Sequence, residues 1–219
     1  MELKGKRIAF IGDSITYGYG PEHPENVYWR RIGALTGADV LGYGVGGTRI
    51  AQQKVAIPNE PWTEETFVMR ARTMPDDLDA IVIFGGTNDF GTGDAPLGNM
   101  ESRDPFTFYG ACHDLLIYLL TRYPGKPIVI MTPTHRLSES DDTYNELGVR
   151  RFGKLQVYVD ALREVAQYYG IPVVDLFREC PMQPKVESLR QMYMPDGLHP
   201  NDAGHELIAR MLLNKLQTL

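Results

Sequence analysis

A serine follows the first apolar run of the sequence directly, in a position that suits a nucleophile. Residues 8–11 are apolar and lead into Gly12, Asp13 and Ser14. A serine hydroxyl is a weak nucleophile by itself, so it needs a general base and a carboxylate that orients the base. The alternative is structural: Asp13 or Ser14 would only cap the helix that follows.

His199 is the histidine best placed to be that base. The sequence has five histidines: His23, His113, His135, His199 and His205. His199 lies in a short segment with Pro195 and Pro200 near its ends and Gly197 inside it. Asp196 stands three residues earlier, so a tight turn can direct its carboxylate to one ring nitrogen and leave the other for Ser14. Asp196 could also serve only to start a turn.

Two further segments follow apolar runs and could hold an oxyanion. Residues 86–89, Gly-Thr-Asn-Asp, follow the run at 80–84, and Asn88 could direct its amide into the ligand crevice or close an Asx turn. Residues 42–47 are rich in glycine, which allows a backbone N–H to approach a ligand closely.

These segments together resemble the SGNH (GDSL-type) hydrolases. The first block of that family, Gly-Asp-Ser-Leu, has Ile15 in its last place, and the second, Asn-x-Gly-x-x-Gly, has Gly42 in its first place and ends at Gly47. The third block, Gly-x-Asn-Asp, contains Asn88, and the last, Asp-x-x-His, runs from residue 196 to residue 199. The matches occur in the family's order and span most of the chain.

The resemblance implies a role for each matching residue. Ser14 would be the nucleophile, His199 the general base and then acid, and Asp196 the carboxylate that orients it. The oxyanion would be held by the N–H groups of Ser14 and Gly47 and the side-chain amide of Asn88, with Gly46 as the alternative to Gly47. No metal and no cofactor are implied.

The pattern of apolar residues predicts the framework that must position these groups. Continuous apolar runs at 8–11, 80–84, 128–131 and 171–176, with a weaker one at 38–43, suit strands buried on both faces. Helical periodicity lies between them, at 26–35, 104–122, 147–169 and 202–216. This alternation predicts an α/β fold with a parallel sheet and helices on both faces. The family resemblance adds a flavodoxin-like, three-layer α/β/α domain over residues 1–219, with five strands in the order 2-1-3-4-5.

Composition excludes several classes of protein. The 219 residues include 22 basic and 28 acidic side chains, and a net charge of −6 is unsuited to general nucleic-acid binding. Cys112 and Cys180 are expected to be reduced thiols rather than a disulfide framework. No leader peptide and no apolar run of about 20 residues is evident, so we expect a cytoplasmic protein without a membrane partner. No pattern indicates the oligomeric state.

Two long loops of the sequence bear on the class of substrate. The loops at 90–103 and 134–146 are polar, which favours a hydroxylated substrate over a long acyl chain. We expect a serine esterase that removes O-acetyl groups from a carbohydrate. The alternatives are a general short-chain esterase or lysophospholipase-like acylhydrolase, and a non-catalytic carbohydrate-binding relative.

Residues 42–47 and Arg49 each allow a second interpretation. Residues 42–47 also satisfy the dinucleotide pattern G-x-G-x-x-G, but they follow the second strand, and no acidic strand end follows about 20 residues later. Arg49 could meet an anionic group of the substrate or belong to a structural ion pair. The Walker, G-x-S-x-G and H-E-x-x-H patterns do not occur.

Overall fold

Five parallel strands form one sheet in the order β2-β1-β3-β4-β5. The computed structural model describes residues 2–219. The strands are β1 (Arg7–Gly12), β2 (Asp39–Gly44), β3 (Ala80–Phe84), β4 (Ile128–Met131) and β5 (Val173–Val174). The predicted α/β class and the strand order are confirmed.

The strands that carry the candidate site end at one level of the sheet. Gly12 at the end of β1 lies opposite Gly44 of β2 and Phe84 of β3. The segments that follow these three strands therefore leave the sheet side by side, at its carboxyl edge. The central strands β1, β3 and β4 are almost wholly buried, whereas β2 is an edge strand that is only partly covered. This difference explains the weaker apolar run at 38–43.

Helices cover both faces of the sheet. They are α1 (Ser14–Tyr17), α2 (Tyr28–Thr36), α3 (Phe67–Ala71), α4 (Thr87–Gly91), α5 (Phe108–Arg122), α6 (Leu155–Tyr168), α7 (Leu176–Glu179), α8 (Glu187–Tyr193) and α9 (Asp202–Gln217). Two short 3₁₀ turns lie at Pro24–Asn26 and Pro61–Glu64. Alternate residues of β1 enter different cores: Ile8 and Phe10 pack with α2 and α9, and Ala9 and Ile11 with α3, α5 and α6. Two apolar layers thus clamp the strand that leads to Ser14.

Three predicted helices begin later than the periodicity indicates. The helix predicted over 26–35 begins at Tyr28, after the 3₁₀ turn at Pro24–Asn26. The helix predicted over 147–169 begins at Leu155, because Gly153 lies in the left-handed region at φ +134° and interrupts the helical backbone. The helix predicted over 104–122 begins at Phe108, after Thr107, whose hydroxyl caps the N–H of Gly110. The short helices α3, α4, α7 and α8 were not predicted. The strand predicted over 171–176 is only Val173–Val174, because Asp175 caps α7, which begins at Leu176.

Two further features of the fold concern the cysteine thiols and the lengths of the helices. Cys112 and Cys180 are free thiols, and both are buried. Within residues 2–219, no helix combines the length and the apolar character needed to cross a membrane.

Candidate active site

Ser14 begins a one-turn helix at the carboxyl end of β1. Asp13 is the N-cap of α1, and its carboxylate accepts the N–H of Ile15 at 3.0 Å. Burial raises the pKa of Asp13 to about 6. Asp13 thus caps α1, as the structural alternative proposed, whereas Ser14 lies at the edge of the cleft described below.

A chain of hydrogen bonds joins Ser14 to His199 and Asp196. Ser14 Oγ lies 3.0 Å from His199 Nε2, and His199 Nδ1 lies 2.7 Å from Asp196 Oδ2. The other carboxylate oxygen, Oδ1, accepts the backbone N–H groups of Leu198 and His199. Burial alone would raise the pKa of Asp196, but these bonds together hold it below its ordinary value. A hydroxyl, an imidazole and an ionised carboxylate in this order can move a proton off the serine.

The other acidic candidates make different contacts. Asp175 forms a bidentate ion pair with Arg163 at 2.8–2.9 Å, and Asp202 accepts the Asn26 amide at 2.9 Å. Among the acidic residues that the structure describes, only Asp196 is hydrogen-bonded to the His199 ring.

The remaining histidines lie away from Ser14. His113 is buried beside the hydroxyl of Tyr169, His135 pairs with Glu139, and His205 accepts the N–H of Tyr28. The structure thus pairs Ser14 with the histidine that the sequence indicates. Across residues 2–219, no group of three His, Cys, Asp or Glu side chains is arranged to hold a metal ion.

Asn88 lies in α4, directly after β3, and its amide is held in place. Its Nδ2 donates to the carbonyl of Thr48 at 3.1 Å. Because an amide nitrogen carries two hydrogens, one N–H remains for a ligand in the cleft. The neighbouring Asp89 accepts the backbone N–H groups of Ile50 and Ala51 at 3.0 and 2.9 Å. The third sequence block therefore fastens onto the loop that follows β2.

The glycines of residues 42–47 are needed for close packing. A Cβ on Gly42 would lie 2.4 Å from Trp29 Cζ2, and one on Gly44 would lie 2.2 Å from the backbone nitrogen of Tyr17. Contacts within the chain therefore account for the start of the dinucleotide-like pattern. Gly46 and Gly47 both line the cleft, and only Gly47 has a positive φ, +75°. The assignment of an oxyanion N–H to Gly47 stays a prediction.

Arg70 is a component of the site that the sequence did not reveal. It lies on α3, is buried, and donates from Nη1 to the carbonyls of Gly12, at 2.6 Å, and Tyr43. Its Nη2 donates to Thr48 Oγ1 at 2.8 Å. Burial lowers the pKa of Arg70 to about 10, so it stays charged at neutral pH. One cation thus links the ends of β1 and β2 to the loop that holds Asn88.

The cleft above these groups has a volume of about 540 Å³ and carries two carboxylates. Ser14, His199 and Asn88 line it, together with Glu60 and Glu146. Neither lysine nor arginine is part of this lining. Arg49 lies outside it, buried and paired with Glu64 at 3.0 Å, which supports the ion-pair alternative for that residue.

Comparisons with known proteins assign the chain to a family. The family model for GDSL-like Lipase/Acylhydrolase matches residues 10–207. No curated protein sequence matches the chain. A solved protein from Lactobacillus plantarum is 31% identical with a TM-score of 0.81, and the match covers 99% of this chain and 98% of that one.

More distant solved proteins share the fold. The lipase/acylhydrolase from Enterococcus faecalis is 21% identical with a TM-score of 0.61, and the match covers 97% of this chain and 96% of that one. A member of the lipolytic G-D-S-L family from Veillonella parvula is 18% identical with a TM-score of 0.62, covering 98% of this chain and 100% of that one. The chain therefore belongs to the GDSL-like lipase/acylhydrolase family, the SGNH hydrolases, and is a serine hydrolase that cleaves ester bonds.

Proposed function

We propose that the enzyme removes O-acetyl groups from a carbohydrate through an acetyl-enzyme on Ser14. The observation that carries the mechanism is the hydrogen-bonded chain from Ser14 through His199 to Asp196, at the edge of an open cleft. Ser14 Oγ attacks the ester carbonyl while His199 Nε2 takes its proton. Asp196 stabilises the imidazolium that forms.

The negative charge on the carbonyl oxygen needs donors that are already in place. We assign this role to the N–H groups of Ser14 and Gly47 and the free N–H of Asn88, with Gly46 as the alternative glycine. When the tetrahedral intermediate collapses, His199 returns the proton to the leaving alcohol. Water then enters and loses a proton to His199 as it attacks the acetyl carbonyl. When the second tetrahedral intermediate collapses, the bond to Ser14 Oγ breaks, His199 returns the proton to that oxygen, and acetic acid leaves and ionises to acetate. The proposal requires no metal and no cofactor.

The lining of the cleft favours a neutral, hydroxylated substrate. Glu60 offers acceptors for hydroxyl groups, as does the second oxygen of Glu146, whose Oε1 pairs with Arg136 at 2.5 Å. Tyr17, Tyr19 and Trp62 offer aromatic surface. The Glu60 carboxylate, with no basic side chain in the lining, would disfavour a phosphate headgroup. A short-chain esterase of broader specificity is the second candidate, because the same catalytic groups would serve any small ester.

The test is a panel of esters that varies the acyl and alcohol portions separately. It would compare an acetylated methyl glucopyranoside with 4-nitrophenyl acetate, butyrate and octanoate, and with lysophosphatidylcholine. We expect kcat/KM to fall as the acyl chain lengthens within the 4-nitrophenyl series. Because 4-nitrophenol is an activated leaving group, the alcohol portion is judged against an unactivated ester, and kcat/KM should be higher for the sugar acetate than for ethyl acetate.

Each alternative function has its own outcome. A preference for octanoate or for the lysophospholipid would identify an acylhydrolase of lipids instead. Failure to cleave any ester, together with sugar binding, would indicate a non-catalytic relative. Activity abolished by exhaustive chelation and restored by zinc would contradict the metal-free mechanism.

A further inference from the structure

We propose that Tyr19, backed by Tyr17, forms the wall on which the alcohol portion of the ester packs, and that this wall selects ring-shaped, neutral alcohols. The inference rests on the proposed serine mechanism and extends it to substrate selection.

The position of the leaving alcohol follows from the position of His199 Nε2. The same nitrogen, His199 Nε2, that lies 3.0 Å from Ser14 Oγ must also protonate the leaving oxygen. That oxygen therefore lies within hydrogen-bond reach of Nε2 when the ester bond breaks. The alcohol portion must extend from this point along the surfaces that adjoin the imidazole.

The surface beside the His199 imidazole is aromatic. The Tyr19 ring packs against the His199 ring, with centroids 5.7 Å apart and planes inclined at 38°. Tyr19 lines the cleft but remains 52% exposed. The Tyr17 ring continues this surface, with its centroid 5.5 Å from that of Tyr19 and 64% of the residue exposed. Two adjacent aromatic side chains thus face solvent next to the catalytic base.

The Tyr19 backbone is held next to both Ser14 and the loop that contains His199. Its N–H donates to the carbonyl of Ser14 at 3.0 Å. The next residue, Gly20, approaches the His199 loop so closely that a Cβ would lie 2.1 Å from the carbonyl oxygen of Pro200. A Cβ on Gly46 would lie 3.0 Å from the Tyr19 ring, so this glycine makes room for it. A surface held in this way binds its ligand with little loss of conformational freedom.

The chemistry of the wall selects its occupant. The faces of tyrosine rings provide rigid apolar contact area, and their hydroxyl groups provide polar contacts at the edge. Such a surface suits the C–H face of a saturated ring that carries hydroxyl groups. Glu60 lies in the same cleft lining, and its carboxylate can accept those hydroxyl groups. A small open-chain alcohol would leave most of the aromatic surface uncovered.

The test compares esters that differ only in the alcohol. The substrates are ethyl acetate, cyclohexyl acetate and an acetylated methyl glucopyranoside, assayed with the wild-type enzyme, Tyr19→Ala and Tyr19→Phe. For each ring acetate, the ratio of interest is its kcat/KM divided by the kcat/KM for ethyl acetate. We expect Tyr19→Ala to reduce this ratio roughly tenfold, mainly by raising KM for the ring acetate. Tyr19→Phe should keep the ratio within about threefold, because it retains the ring face.

Controls separate packing from folding and from the proposed function. Tyr168→Ala removes an equally exposed tyrosine on α6, outside the cleft lining, and should leave the ratio unchanged. Thermal unfolding would check that each variant is folded. If the wild type cleaves cyclohexyl and ethyl acetate but not the glucoside, the carbohydrate substrate is wrong, and the ratio for cyclohexyl acetate still tests the wall.

Two results would overturn the inference. If Tyr19→Ala lowers kcat/KM for all three esters by the same factor, Tyr19 only positions His199. If the variant instead loses activity chiefly toward acetylcholine, added as a fourth substrate, the aromatic surface binds a cation rather than a neutral ring.

Discussion

The two halves of the active site are built in opposite ways. On the proton-transfer side, the Asp196 and His199 side chains are 53% and 23% exposed, and the bonds between them lie within one four-residue turn. On the oxyanion side, Asn88, Asp89 and Arg70 are buried, and each bonds a segment distant in sequence. A short turn therefore orients His199, the proposed base, whereas buried charges orient the groups assigned to the oxyanion.

This difference has an energetic consequence. A buried charge is costly unless hydrogen bonds compensate for its lost hydration, and removing its partner leaves that cost uncompensated. Substitutions on the proton-transfer side should therefore reduce the rate and leave stability nearly unchanged. Substitutions on the oxyanion side should reduce both.

The largest expected effect is that of Ser14→Ala. Without the nucleophile, kcat should fall by about 10³-fold or more, while the melting temperature changes little. Steady-state kinetics and thermal unfolding would measure the two effects. Ser138→Ala, an exposed serine outside the cleft lining, is the matched control and should retain full activity. Labelling of a serine other than Ser14 by a fluorophosphonate would contradict the assignment.

Asn88→Ala tests the oxyanion side directly. We expect kcat to fall by roughly 10²–10³-fold with little change in KM, because the amide meets charge that develops only in the transition state. The variant should also be less stable, since the Thr48 carbonyl loses its donor. The exposed Asn214→Ala is a suitable control. A defect confined to KM would make Asn88 a ground-state contact instead.

Arg70→Met should show the coupling of stability and rate most clearly. The carbonyls of Gly12 and Tyr43 and the hydroxyl of Thr48 would lose their shared donor. We expect kcat to fall about 10- to 100-fold and the free energy of unfolding to fall by about 3 kcal/mol. Arg70→Lys, which keeps the charge but not the fork of donors, should recover part of both.

The outcome of this experiment separates two roles for Arg70. The exposed Arg72→Met serves as the control. Loss of stability with an unchanged kcat in the folded fraction would show that Arg70 supports the fold and not the oxyanion groups.

The smallest effect on rate, and an informative one on stability, is expected for His205→Gln. Burial lowers the pKa of His205 to about 4, so it is neutral in the folded state. Its contribution to stability is present above the ordinary histidine pKa of about 6.5 and is lost as the pH falls toward 4. Burial raises the pKa of Asp89 to about 6, so its contribution has the opposite sign and is lost as the pH rises through 6.

Burial raises the pKa of Asp13 to about 6 as well, so in the wild type the contribution of His205 partly cancels those of Asp89 and Asp13 between pH 4 and pH 6. The His205→Gln variant can keep an acceptor for the Tyr28 N–H but does not titrate. Its free energy of unfolding should therefore decrease more steeply than that of the wild type as the pH rises from 4 to 6. Chemical denaturation at several pH values would measure this, with His23→Gln as an exposed control. Parallel curves would show that the pKa of His205 is not displaced by folding.

The predictability of each part from sequence follows the range of its contacts. The strands and the Asp196–His199 turn depend on neighbouring residues, and the structure places β1 to β4 and the turn close to their predicted positions. The strand β5 is shorter than predicted because Asp175 caps α7. The short helices α3, α4, α7 and α8 were missed because one or two turns carry little periodicity and are stabilised by packing. Arg70 was missed because its partners are mainly backbone carbonyls, which have no side-chain signature. The Tyr19 contact with His199 joins positions 180 residues apart, so adjacent residues could not indicate it.

The bond between Ser14 and His199 spans 185 positions, and this span has a consequence for biosynthesis. The ribosome releases Ser14 185 residues before His199, its proposed base. A nascent chain that has reached α6 already exposes the serine but has no imidazole to activate it. Premature termination anywhere before residue 199 would therefore yield an inert polypeptide instead of a partly active hydrolase. Esterase activity and completion of the α2–α9 packing should accordingly arise together, once the segment that carries His199 and α9 has been synthesised.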